Sequence, residues 1–149
     1  MNKELQFRVW DGQRYHYTVN NIGLGLSLVD LKNKCFIDKN LTAPLYFSKC
    51  KIEYYTGLKD KNNKEIYEGD IVKFVNNIDF GVFSVGIITW MAKSTEFGVK
   101  WIDCGVDDSL SWQTSCGKII EVIGNIHENP ELLGVSEDKI NNEMEGVNK

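Results

Sequence analysis

Hydrophobic and polar residues alternate along much of this chain with a period of two, the spacing of side chains on a half-buried β-strand. Leu5, Phe7 and Val9 alternate with Gln6, Arg8 and Trp10, then Asp11-Gly12 intervenes. Tyr15, Tyr17 and Val19 alternate with Arg14, His16 and Thr18 on the far side. An Asp-Gly pair between two such runs predicts a β-hairpin, because glycine accepts positive φ without a steric cost. On this reading His16 lies on the polar face of the hairpin. Trp10, out of phase with Leu5, Phe7 and Val9, lies on an outer face.

The next segment, 20–50, is less regular. Ile22-Gly23-Leu24-Gly25-Leu26 and Leu28-Val29 read as short strands, with turns at Asn33, Asp38, Asn40 and Pro44. From Lys51 the alternation sharpens. Ile52 and Tyr54 alternate with Glu53 and Tyr55, and Thr56-Gly57 is expected to break the run. A polar loop tip over 59–64, a strand over 65–67, a turn at Glu68-Gly69-Asp70 and a β-branched strand over 71–75 follow. Further strands are predicted over 82–90, 97–102 and 119–126. The run Ser109-Leu110-Ser111-Trp112-Gln113-Thr114-Ser115 reads as a loop whose tryptophan folds back onto the body. Pro130 opens one helical turn, and Ser136 caps a short helix carrying Ile140 and Met144. The fold class is all-β, a small barrel or sandwich with an N-terminal hairpin and a short C-terminal helical tail. The expected organisation is one β domain over 1–135, divisible into lobes 1–50 and 51–135, and a polar tail over 136–149.

Composition fits one globular domain: 149 residues, 42% hydrophobic and 26% charged, with two prolines. Met1–Gln6 has no apolar core behind it, so no secretory leader is expected, and no apolar run approaches the ~18 residues that span a bilayer. Cys35, Cys50, Cys104 and Cys116 make no Cys-x-x-Cys pair; they read as reduced and mostly buried. The net charge of −4 is uneven. Residues 1–75 carry 12 Lys and Arg against 9 Asp and Glu, and residues 76–149 carry 5 against 12. That balance falls short of a domain living on duplex DNA.

Three stretches resemble the YopX protein family. They are Phe7-Arg8-Val9-Trp10-Asp11, the run from Tyr54 through Asp60 and Gly69-Asp70 to Val72, and Val122-Ile123-Gly124-Asn125-Ile126-His127-Glu128-Asn129-Pro130-Glu131-Leu132-Leu133. The resemblance spans residues 7–133. It implies a mostly β fold, a phage or prophage origin and a bacterial host cytoplasm, and it implies no activity and no site residues. Asn63 stands where the family's loop often has glycine, which points to a turn needing positive φ.

Catalytic signals are sparse. The two histidines, His16 and His127, are far apart in sequence, and no nucleophile elbow or His-x-x-x-His pair occurs. Gly23-Leu24-Gly25 lacks the Lys-Ser/Thr and helix that a phosphate cradle requires. Asp70 reads as a turn residue accepting a local backbone hydrogen bond. Asp103, Asp107 and Asp108 form the one carboxylate cluster suited to a metal-assisted hydrolase, and a polar loop is the preferred reading. No enzyme activity, cofactor or metal is expected.

Binding is the leading class, to a host or phage protein or to a second copy of the chain. Tryptophan recurs at interfaces, and Trp10 and Trp112 are the candidate contacts. Single-stranded nucleic acid ranks second. Lysines and aromatics interleave between Leu31 and Lys64, and Lys49, Lys51, Lys59, Lys61 and Lys64 would meet phosphates.

Overall fold

The structure, a computed structural model, describes residues 6–17, 26–30, 35–38, 45–75 and 83–134. The expected hairpin is present: β1 (Phe7–Trp10) runs antiparallel to β2 (Tyr15–Tyr17), with Val9 opposite His16. Its turn follows the Asp-Gly chemistry. Asp11 Oδ1 accepts the backbone N–H groups of Gln13 at 2.8 Å and Arg14 at 2.9 Å, and Gly12 takes φ 97°. β3 (Leu26–Asp30), β4 (Cys35–Asp38) and β5 (Leu45–Tyr46) form a three-stranded antiparallel sheet. Asp38 is the last residue of β4, and the residues after it, 39–44, lie outside the described residues. Gly23, Gly25, Asn33, Asn40 and Pro44 lie outside the described residues.

A 3-10 turn, Phe47–Lys49, leads into β6 (Lys51–Lys59). This strand lies antiparallel to β1, with Glu53 opposite Arg8 and Ile52 opposite Val9. It also carries the chain from one compact unit, Met1–Tyr55, into a second, Thr56–Lys149. The break expected at Thr56-Gly57 does not occur. Gly57 adopts φ 87°, so the irregularity is absorbed within the strand. Thr56 Oγ1 secures it, donating to Ile66 O at 2.8 Å and accepting the Leu58 N–H at 3.2 Å.

In the second unit β6 is flanked by β7 (Glu65–Tyr67). A five-stranded antiparallel sheet follows, built from β8 (Asp70–Val75), β9 (Phe83–Met91), β10 (Glu96–Trp101), β11 (Asp107–Ser109) and β12 (Ile119–Asn125). Its order is β11-β10-β9-β8-β12. The core gathers Val72, Phe74, Ile88, Val99 and Ile120 of this sheet with Ile66 of β7 and Leu110, and Leu58, Phe97, Trp101 and Val122 pack against it. Burying each large apolar side chain contributes roughly 1.5–3 kcal/mol, which makes this cluster the main source of stability in the unit. Gly98 is required in β10. A Cβ there would lie 2.7 Å from the Asp108 carbonyl oxygen of the neighbouring strand.

The run from Leu110 is a helix, not a loop: α1 (Leu110–Ser115) is capped by Ser109, whose Oγ accepts the Trp112 N–H at 3.3 Å. Leu110 and Gln113, three positions apart, turn inward. Six residues are too few for a helical period to show in the sequence. A 3-10 turn, Pro130–Leu133, starts on its proline as expected and ends on Gly134 at φ 62°. Ser136, Ile140 and Met144 lie outside the described residues.

Candidate binding surface

The motif residues with the most chemical character are spent on holding turns. Asp60, 8% exposed, opens the loop between β6 and β7. Its Oδ1 accepts the N–H groups of Asn62 at 2.8 Å and Lys64 at 2.9 Å, and its Oδ2 accepts the Val122 N–H at 3.0 Å. Burial alone would raise the Asp60 pKa; the three backbone donors outweigh it and hold the carboxyl below its ordinary value. The adjacent Lys61 N–H donates to Ile120 O at 2.9 Å. The loop tip therefore covers the outer edge of β12, which would otherwise present unpaired backbone groups. Asn63, within this loop, adopts φ 65°, the positive value its position implied.

Two further knots repeat the theme. Asp70, 1% exposed, accepts the Tyr67 N–H through Oδ2 at 2.8 Å, as expected of a turn residue. Gly69 between them takes φ 80°. Asn125 Oδ1 accepts the N–H groups of His127 at 3.0 Å and Glu128 at 2.9 Å, while its amide donates to Glu128 Oε2 at 2.6 Å. Asn129 Oδ1 accepts the Asn125 N–H at 3.3 Å. These side chains offer no open coordination.

The first unit has an unexpected ionic centre. Arg8, 3% exposed, donates through Nε to Glu53 Oε2 at 2.7 Å, and Tyr15 Oη donates to the same oxygen at 3.1 Å. The Arg8 guanidinium lies 4.2 Å from the Tyr15 ring centroid. Trp10 packs against Tyr15 as well, the two rings tilted with centroids 5.0 Å apart, and is half-buried. His16 is not on a solvated face: it is buried, with Nε2 2.8 Å from Asp11 Oδ2. Alternation reads both Arg8 and His16 as outward polar positions; the register instead sets His16 opposite Val9 and Arg8 opposite Tyr17, on the two faces of the hairpin, and both are buried, which a period of two does not reveal. Burial pushes the Asp11 carboxyl up, but the His16 contact and the Gln13 and Arg14 amides outweigh it and bring its pKa down to about 2.

Exposed aromatics occur in both units: Tyr17, Tyr46 and Tyr54 in the first, Trp90 and Trp112 in the second. Trp112 is 65% exposed on α1, so it does not fold back. Leu110 and Gln113 take the inward positions of that short helix and leave Trp112 pointing away. Trp90, opposite Phe97 across β9 and β10, is 47% exposed, with the two rings edge-on at 5.0 Å. Beside α1, Glu96 Oε2 accepts from the Ser109 hydroxyl at 2.7 Å and the Ser111 hydroxyl at 3.2 Å. Those hydroxyls, Ser109 foremost, hold the Glu96 pKa below the ordinary carboxylate value.

The aspartate cluster does not converge. Asp108 accepts from Trp101 Nε1 at 2.7 Å and Gln113 Nε2 at 3.2 Å, whereas Asp103 and Asp107 are exposed. Among the described residues no group of three His, Cys, Asp or Glu side chains is gathered to hold a metal ion. Among the candidate lysines, Lys49, Lys51, Lys59 and Lys64 are exposed, and Lys61 is paired with Glu121 at 2.8 Å. Cysteine burial is overturned in part. Cys50 is half-buried and its thiol is pushed up by burial and by Asp11, but Cys104 and Cys116 are free and exposed. They sit in polar turns, where a small side chain has no core to enter. Sequence reasoning missed Glu96, Ser109 and Ser111 as a unit, because β10 and α1 meet only in three dimensions. The two serines flanking Leu110 were the available signal.

No helix among the described residues is long and apolar enough to cross a membrane. A family model described as YopX protein matches residues 6–134. The chain is also similar to the crystal structure of protein EF1440 from Enterococcus faecalis, at 26% identity and a TM-score of 0.56, over 87% of this chain and 98% of that one. No curated protein matches it.

Proposed function

This chain belongs to the YopX protein family, and on that footing we propose that it is a non-enzymatic binding module that engages another protein through exposed aromatic side chains. One observation carries the reading: Trp112 stands 65% exposed on a helix whose inward positions are already filled. Covering a large aromatic side chain contributes roughly 1.5–3 kcal/mol, so an indole left in water is a ready anchor for a partner. Exposed Trp90 adds area of the same kind. The polar side chains of the family motifs support the same view, since the Asp60 and Asp70 carboxylates and the Asn125 amide serve turns rather than a reaction centre. A phage or prophage origin and action in a bacterial host cytoplasm belong to this proposal, on the strength of the family resemblance.

The test is a tagged pull-down from bacterial lysate with the full chain and with W112A, reading proteins and nucleic acid in both eluates. A protein enriched by the parent and lost with W112A is the expected result. Identical protein profiles from the two baits, or nuclease-sensitive nucleic acid with no protein, would overturn the reading. The second outcome would turn attention to Lys49, Lys51, Lys59 and Lys64.

A further inference from the structure

Resting on the binding reading above, we infer that the face formed by α1 and the start of β10 takes a cationic polypeptide segment. An arginine of that segment would lie on the Trp112 indole, with a neighbouring cation against Glu96.

The charge around Trp112 selects the partner. Between residues 96 and 118 stand Glu96, Asp103, Asp107 and Asp108, against Lys100 and Lys118. Asp103 and Asp107 are exposed. Such a face repels a phosphate backbone and attracts lysine and arginine. Trp112 supplies the other half of the recognition. Tryptophan has the ring face most attractive to cations, and this one is open to solvent.

Glu96 and Trp112 are also held together. The Ser109 hydroxyl donates to Glu96 Oε2 at 2.7 Å, and Ser109 Oγ in turn accepts the Trp112 N–H at 3.3 Å. Ser111, next to Trp112, bonds Glu96 as well, at 3.2 Å. The carboxylate is thus anchored on the helix that carries the indole, and hydroxyl donors keep it ionised. A segment pairing one arginine with the ring and another cation with the carboxylate meets two preorganised groups, which lowers the ordering cost of binding. The fold already uses this kind of contact internally, with Lys118 Nζ 5.5 Å from the Trp101 ring centroid.

The experiment titrates the full chain into three fluorescein-labelled probes at low salt, read by anisotropy. The probes are an alternating arginine-glycine peptide, an alternating glutamate-glycine peptide and a mixed single-stranded oligonucleotide. The arginine peptide is expected to bind, and the other two not. W112A, at an exposed residue, and E96Q, at a half-buried one, are each expected to weaken that binding about three- to tenfold while K59A/K64A leaves it unchanged. Thermal melts of the variants should match the parent, which separates lost contact from lost fold. Absence of arginine-peptide binding, equal binding by parent, W112A and E96Q, or preference for the oligonucleotide would each overturn the inference. A lysate partner that depends on Trp112 but ignores competing arginine peptide would overturn the cationic partner and leave the binding reading standing. Arginine-peptide binding with no Trp112-dependent lysate partner would do the reverse.

Discussion

Replacing Asp60 with asparagine isolates what the loop between β6 and β7 does for the sheet. The variant preserves size and one carbonyl oxygen. With that oxygen at the Oδ1 position, the bonds from Asn62 and Lys64 persist as neutral ones, and the new NH2 group faces the Val122 N–H. Hydrogen bonds to a charged acceptor contribute roughly 1.5–3 kcal/mol and neutral ones about 0.5–1.5 kcal/mol. Losing one outright and weakening two costs about 2–4 kcal/mol, a large part of the ~5–15 kcal/mol that holds a domain together. Urea unfolding followed by tryptophan fluorescence reads the global loss. Exchange of the Val122 amide reads the local one. The pH dependence gives a second handle. The folded-state pKa of Asp60 lies below its ordinary 3.8, so its stabilisation is complete above that value and disappears as the pH falls through the folded pKa. The gap between parent and D60N must therefore narrow on acidification. A gap under about 0.5 kcal/mol at neutral pH, within the range of ordinary surface substitutions, would refute the reasoning. So would a gap that stays constant into acid.

Two other perturbations probe the frame. G98A places a Cβ 2.7 Å from the Asp108 carbonyl and against the Met91 side chain. A backbone oxygen in a paired strand cannot step aside, so a loss of about 2–3 kcal/mol is expected in the same urea assay, and unchanged stability would show that β11 gives way. Asp11 has a folded pKa of about 2 against an ordinary 3.8, so the parent should lose about 1 kcal/mol, after solvent screening, as the pH drops between those values. D11N should lack that acid-sensitive component, and parallel acid profiles would contradict it.

Strand patterning was legible because a half-buried strand writes its two faces directly into the sequence. The hairpin around Asp11-Gly12, the strand Glu65–Tyr67 and the positive φ of Asn63 all follow from side-chain chemistry acting over a few residues. Family membership was legible as well, since its motifs fall on turns with strict local geometry: Asp60, Gly69-Asp70 and Asn125. Those same residues carry backbone bonds, which is why the most recognisable part of the chain is also the least informative about its chemistry.

Tertiary structure decided what local pattern cannot encode. Arg8 and His16 look like outward polar positions, yet both are buried, because the sheet is covered on two sides and Glu53 and Asp11 supply their partners. Thr56-Gly57 looks like a break, yet β6 runs through it once Ile66 offers a carbonyl to the Thr56 hydroxyl. The candidate surface itself arises the same way. Leu110 enters the core contributed by strands far away in sequence, that insertion sets the helix, and the helix leaves Trp112 in solvent beside Glu96. Local chemistry set the strands and turns of this protein; burial against distant residues set which of its side chains meet water.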